Sequence, residues 1–398
     1  MRRLSLRQLL RPDNLRKMKK IIKKGNGRFR VFLIWLFIAA CFNAVLYFLY
    51  KDGEAGTYLS EIRKKKFSGE HIQKPAEVKG IYATAYTASS GRFLELVDFV
   101  KNNGLNSMVV DIKGPRSEPA FFLEDESLKK YNFNKEMYKP EDIISVLHKN
   151  NIYAIARIAV FQDPYLVERE PSLALQWKTG GVWRDWKGVK WLDPTAFGVW
   201  RYNVALAREA YGRGFDEIQF DYIRFPSDGN IKAIKYANWS GETKKEEEIE
   251  KFFAYVSQVM KKAEIPVSAD LFGLVCCNND DLGIGQSLAR ALPHFDFISP
   301  MMYPSHYSAG FVGKANPAAY PYEVVKYSME KANEKVAQTA ASSTVSLAKL
   351  RPWIQDFDIG ANYDAVKVLA QIKAVSEEGG EGFLIWNARN VYTTLITN

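Results

Sequence analysis

The segment Phe215-Asp-Glu-Ile-Gln-Phe-Asp-Tyr-Ile-Arg-Phe-Pro226 constrains this chain more than any other stretch. At strand period Ile218 and Phe220 fall on one face, while Glu217, Gln219 and Asp221 fall on the other. A parallel strand covered by helices on both sides reads as nearly continuous apolar sequence. One that is apolar on one side and polar on the other suits a closed barrel, with helices outside and a polar lumen inside. The strand ends in a carboxylate, and the C-terminal mouth is where barrel enzymes keep their chemistry. Pro226 then stops the strand, and Arg224 adds a cation to the rim.

Other apolar segments end the same way. Ser107–Asp111 ends in Asp111, Tyr153–Arg157 in Arg157, Pro266–Asp270 in Asp270, and Phe297–Tyr303 in Tyr303. Leu350–Gln355 supplies Trp353 and Gln355, and Phe383–Asn387 supplies Trp386 and Asn387. A lone Asp at a strand end is most simply a helix cap. Several strands ending in functional groups predict one shared mouth. With Gly80–Tyr86 as the first strand there are eight. Helical patterns fall between them at Arg92–Asn103, Lys139–Lys149, Thr195–Arg213, Lys244–Ala263, Leu282–Leu292, Pro321–Ala337 and Tyr363–Glu378. The fold expected for residues 79–398 is an α/β (β/α)8 TIM barrel.

The first 78 residues are a different object. Val31–Tyr50 is an uncharged run long enough to cross a bilayer as a helix. Residues 1–30 hold 12 Lys and Arg against Asp13 alone, a net of +11, whereas the whole chain is +10. The remaining residues therefore sum to about −1, and the basic tail, not the barrel, sets the high pI. A basic flank beside an apolar span predicts a cytoplasmic tail (1–30), a transmembrane anchor (31–50), a stalk (51–78) and an extracytoplasmic barrel. Ile38-Ala-Ala-Cys41 resembles a lipoprotein cleavage box, but the chain stays apolar for nine residues beyond Cys41, which favours an uncleaved anchor.

Composition narrows the chemistry. Three cysteines, one in the apolar run and two adjacent as Cys276-Cys277, build no disulfide framework. There are four histidines and no His-x-His or His-Glu-x-x-His pattern, so no metal site is expected. No Gly-x-Ser-x-Gly elbow and no glycine-rich phosphate loop follows a strand, so no serine nucleophile and no cofactor are expected. A nucleic-acid partner would need a positive surround that the barrel lacks.

Acids, an Arg and many aromatics remain, and that combination suits sugars. Cleaving a glycosidic bond takes two carboxyl groups, and aromatic rings offer flat apolar faces to a pyranose. The loop Trp177–Pro194 carries Trp177, Trp183, Trp186 and Trp191 interleaved with Lys and Arg. Core tryptophans would have apolar neighbours at regular period, so Trp183 and Trp186 are expected to form a sugar platform.

Gly80-Ile-Tyr-Ala-Thr, Val110-Asp-Ile-Lys113, Leu192-Asp-Pro194, Gln219-Phe-Asp-Tyr-Ile-Arg-Phe-Pro226 and Ser299-Pro-Met-Met-Tyr-Pro304 together resemble the putative glycoside hydrolase domain family of bacterial barrel proteins. The resemblance runs from Lys79 to the C-terminus and implies a hydrolase-like barrel placed outside the cytoplasm. The reading is a membrane-anchored glycoside hydrolase acting on an extracellular or cell-wall polysaccharide or oligosaccharide. Asp221 is the candidate nucleophile, or base if the enzyme inverts, and Asp270 the candidate general acid. Asp111, Arg157, Arg224, Tyr303, Gln355 and Asn387 are expected to bind hydroxyls or orient the acids, with Trp353 and Trp386 beside them. An Asp111–Arg157 salt bridge inside the mouth is an equal alternative for those two. A barrel that binds glycan without cutting it is the alternative function.

Overall fold

The computed structural model describes residues 69–395. Eight parallel strands close on themselves: β1 (Val78–Ala83), β2 (Ser107–Lys113), β3 (Tyr153–Ala159), β4 (Glu217–Asp221), β5 (Val267–Phe272), β6 (Phe297–Met301), β7 (Trp353–Gln355) and β8 (Gly382–Trp386). Each pairs with the next, β8 returns to β1, and Trp353 opposite Met301 joins β7 to β6. The expected barrel is observed. The N-terminal apolar span lies outside the described residues, among which no helix is long and apolar enough to cross a membrane.

Around the barrel lie α1 (Arg92–Asn102), α2 (Pro140–Lys149), α3 (Phe197–Gly212), α4 (Lys245–Lys262), α5 (Leu288–Ala291), α6 (Pro321–Ala340) and α7 (Ala365–Glu377). Charge order and apolar spacing explain α4. Glu246, Glu247 and Glu248 open it and Lys261 and Lys262 close it, each complementing the helix dipole. Ile249, Phe252, Phe253, Val256, Val259 and Met260 form its buried stripe. Phe220 of β4 meets Phe252 of that stripe edge-on at 6.2 Å. The helix expected over Leu282–Leu292 shortens to α5. Gly283 and Gly285 adopt φ of 67° and 81°, and Asp281 accepts from both their amides, so this stretch is a turn.

The inward face of β4 is polar, as its alternation requires, and buried along its whole length. At the base Glu217 accepts from Ser268 Oγ (2.6 Å) and from Arg351 Nη1 (3.1 Å) and Nη2 (2.5 Å). One layer up, Gln219 donates to Ser299 Oγ (3.3 Å). Asp221 forms the next layer, at the mouth. Hydrogen-bonded polar side chains from several strands thus occupy the lumen beneath the site. Below the base, residues 69–77 lie along the barrel: Ile72 N–H donates to Asp216 (3.0 Å) and His71 stacks on Tyr211.

Between β3 and α3 the tryptophan-rich loop folds into a small antiparallel hairpin. Ala174 opposes Leu192, Gln176 opposes Val182 and Arg184 opposes Lys190, while Gln176–Trp177 pairs with Ile234–Lys235. Trp183 and Asp185 point inward; Arg184 and Trp186 point outward. The expected platform is therefore half corrected. Trp183 is 0% exposed, packs near Trp177 and donates from Nε1 to Asn230 O (3.2 Å), so it presents no face to a sugar. Trp186 stands out at 77% exposure. The interleaved basic residues were the outward half of a strand alternation.

Candidate active site

Four strands converge on one guanidinium. Asp111 on β2, Arg157 on β3, Asp221 at the end of β4 and Asp270 on β5 meet at the mouth. Arg157 Nη1 donates to Asp111 Oδ1 (2.6 Å) and Nη2 donates to Asp221 Oδ2 (2.5 Å). Its Nε lies 3.7 Å from Asp270 Oδ2 and has no hydrogen-bond partner among the described residues. The salt bridge weighed for Asp111 and Arg157 is present, and the same cation also holds Asp221.

Arg157 has its register neighbour at Gln219, two residues before Asp221, so its long side chain reaches up the lumen to that carboxylate. Rings enclose it. The guanidinium lies over Tyr82 (5.4 Å) and Trp386 (5.2 Å), which stack on each other at 4.1 Å. Tyr82 O–H donates to Asp111 Oδ2 (2.5 Å). Trp353 Nε1 donates to Asp270 Oδ1 (2.8 Å) and meets Trp386 edge-on at 5.4 Å. Burial and the Asp111 charge push the Tyr82 phenol well above its usual value, so it stays a donor.

The three carboxyls are not equivalent. Asp221 is 6% exposed; Asp270 is 1% exposed. Burial, then the charge of Asp221, drives Asp270 well above the usual carboxylate range against the opposing pull of Arg157 and Trp353. Asp270 therefore keeps a proton to higher pH than an ordinary acid. One carboxyl ion-paired beside another that holds its proton is the division of labour general acid chemistry needs. Both contact the same guanidinium, Asp221 at 2.5 Å and Asp270 at 3.7 Å.

Backbone geometry also aims Asp221. Tyr222 follows it at φ 53°, a conformation uncommon for a residue other than glycine, and its N–H donates to Asp221 Oδ1 (2.6 Å). Both carboxylate oxygens are thereby fixed. Such local strain persists where surroundings enforce it and clusters at functional sites.

The other expected residues divide. Tyr303 is buried beside the pair, its phenol raised by burial and then by Asp270 and Asp221. Arg224 lies over Trp191, Phe272 and Tyr222 and donates to Phe225 O and Ser227 Oγ, bracing the rim. Trp386 remains partly open to the mouth. Trp353 is buried and serves Asp270 instead of a sugar face. Gln355 is corrected: it is fully buried, with Oε1 accepting from Ser305 N (3.1 Å) and Nε2 donating to Phe357 O (2.8 Å). Asn387 likewise spends its amide on backbone, donating to Asp356 O (2.5 Å) and accepting from Arg389 N (2.9 Å). Both stiffen the loops, and Gln355, fully buried, offers no free group to a ligand. Tyr82 and Tyr222 were missed. Tyr82 had a signal, as the one polar-tipped residue on the inward alternation of β1; the φ of Tyr222 had none. Lys113, at the end of β2, is buried against Asp163 (2.8 Å) and ties β2 to the loop after β3. Among the described residues no group of three or more His, Cys, Asp or Glu is arranged to hold a metal ion.

A family model described as a putative glycosyl hydrolase domain matches residues 80–392. The chain belongs to this family. By family, then, the barrel is a glycosyl hydrolase domain, and the carboxyl ring lies inside the matched region. No curated protein is similar in sequence. Among solved structures, a hypothetical protein from Ruminiclostridium thermocellum ATCC 27405 is 33% identical over 51% of this chain and 98% of its own, at TM-score 0.44. The PgaB (BpsB) glycoside hydrolase domain from Bordetella bronchiseptica is 13% identical, covering 79% of this chain and 94% of its own, at TM-score 0.55. That likeness supports the barrel fold. The endo-1,4-beta-D-mannanase of Thermotoga petrophila RKU-1 is 13% identical over 78% of this chain and 88% of its own, at TM-score 0.46.

Proposed function

We propose that this family member is a membrane-anchored glycoside hydrolase that cuts an extracellular or cell-wall polysaccharide using Asp221 and Asp270. One observation carries the reading: two carboxyls on one guanidinium at a barrel mouth, one ion-paired and the other raised by burial. Asp221, gripped by Arg157 and Tyr222 N–H, is the charged partner that attacks or stabilises the anomeric carbon. Asp270 gives its proton to the leaving oxygen. Arg157 holds Asp221 in place, and Asp111 and Tyr82 hold Arg157. Trp386 and Tyr222, both partly exposed, offer stacking surfaces beside the pair.

The near-complete burial of Asp270 favours a second reading, a tethered barrel that binds glycan without cutting it. A panel of bacterial exopolysaccharides and wall polymers incubated with the full-length chain separates the two. Release of new reducing ends that Asp221→Asn abolishes supports hydrolysis; retention of a polymer on the chain with no cleavage supports the binder.

Placement outside the membrane rests on the basic tail and the apolar span. Protease added to intact cells is expected to remove the barrel and leave a short basic stub, and Cys41→Ala is expected to leave attachment intact. Release of the protein by Cys41→Ala would replace the uncleaved anchor with a lipid-modified cysteine.

A further inference from the structure

We infer that the catalytic cleft continues into a second sugar-binding depression over β7 and β8, so that the substrate is a chain of at least three sugars. The inference rests on the glycosidase reading of the mouth. The depression, of about 590 Å³, lies between the loops that follow β6, β7 and β8, within the size range of ligand sites.

Two aromatic contacts tie its wall to the carboxyl ring. Trp386 lines the depression and is the same ring that stacks on Tyr82 and underlies Arg157. Phe357 also lines it and meets Tyr303, which is buried beside Asp221 and Asp270, edge-on at 5.7 Å. A sugar over the carboxyls and its neighbours in the depression would thus share the partly open Trp386 ring as a common wall.

The floor is held in advance. Asp356 accepts from Thr393 N (2.8 Å) and Oγ1 (2.7 Å), and Asn387 and Gln355 lock the neighbouring backbone. The lip is apolar with polar heads beside it: Ile359 is 54% exposed, and Asp358 and Arg389 stand in solvent. Rings for the C–H faces and separate charged groups for the hydroxyls are what an uncharged pyranose chain requires. A small aglycone or a single sugar would leave this preformed surface empty.

The test uses the full-length Asp221→Asn chain, so that ligands bind without being cut. The probes are size-fractionated oligosaccharides of one to six units from partial hydrolysates of bacterial wall and exopolysaccharides. Binding is read by tryptophan fluorescence and calorimetry. Affinity is expected to rise about tenfold between one and three units. Adding Phe357→Ala is expected to erase that gain, and Ile359→Asp, at an exposed position that leaves folding intact, to reduce it. Affinity independent of length, or a gain that survives both changes, overturns the depression as a subsite while leaving the mouth reading in place. No binding at any length overturns the glycosidase reading and this inference with it.

Discussion

Replacing Asp221 by Asn probes both the chemistry and the architecture of the mouth. The carboxylate receives two donors, Arg157 Nη2 at 2.5 Å on one oxygen and Tyr222 N–H at 2.6 Å on the other. An asparagine has one carbonyl oxygen and an NH2 group that only donates. Whichever way the amide turns, one donor faces another donor and one charge-assisted bond is lost. That costs about 1.5–3 kcal/mol, or about 2–4 °C in Tm for a barrel of this size. The barrel is expected to fold, because Arg157 keeps Asp111 and Asp270 loses a repelling neighbour. Hydrolysis is expected to fall by about four or more orders of magnitude, since no neighbouring group takes over a lost nucleophile. The assays are reducing-end release on a polymer that the parent cleaves and a thermal melt of the same preparation. Parental cleavage by the variant would refute the assignment and move the search for the catalytic pair to Asp111. Full loss of activity with an unfolded protein would instead refute the claim that Asp221 is a mouth group and not part of the core.

Four further outcomes are expected. Asp270 acts protonated, so activity is present below its raised pKa and lost as pH climbs through it; stability takes the same direction, because the native state holds that proton longer than the unfolded chain. Trp353→Phe removes a bond that favours the charged form, so the alkaline limb of the kcat/KM profile is expected to move to higher pH; a limb that stays put would detach it from Asp270. Trp183→Ala is expected to lose about 3–5 kcal/mol, seen in chemical denaturation, whereas Trp186→Ala changes stability by about 0.5 kcal/mol or less; equal effects would contradict the hairpin packing. Arg351→Met leaves Glu217 as an unpaired carboxylate in the lumen and is expected to cost about 3–5 kcal/mol, while the double change with Glu217→Leu recovers most of it; a single change without effect would show that the pair is not buried.

Much of the site was legible without coordinates, and the reason is periodicity. The one-sided polarity of Glu217, Gln219 and Asp221 specifies a strand with a lumen on one side, and the repetition of polar strand ends specifies a common mouth. Side-chain direction follows from strand alternation, so Asp111, Arg157, Asp221 and Asp270 could be named from sequence. The apolar run at 31–50 and its basic flank are likewise properties of composition alone. Tertiary structure decided what each group is paired with. Arg157 became the hub because it reaches two residues up the lumen, a distance set by strand stagger and not by sequence spacing. Asp270 parted from Asp221 through burial, which depends on what covers it. Trp183 and Trp186, three residues apart in one basic loop, are alike in sequence and are separated by a hairpin alternation that turns Trp183 inward, where Asn230 from beyond the loop receives its Nε1–H. Gln355 and Asn387 carry groups suited to sugar hydroxyls, yet folding spent those groups on nearby backbone, because a buried amide must be satisfied before it can serve a ligand.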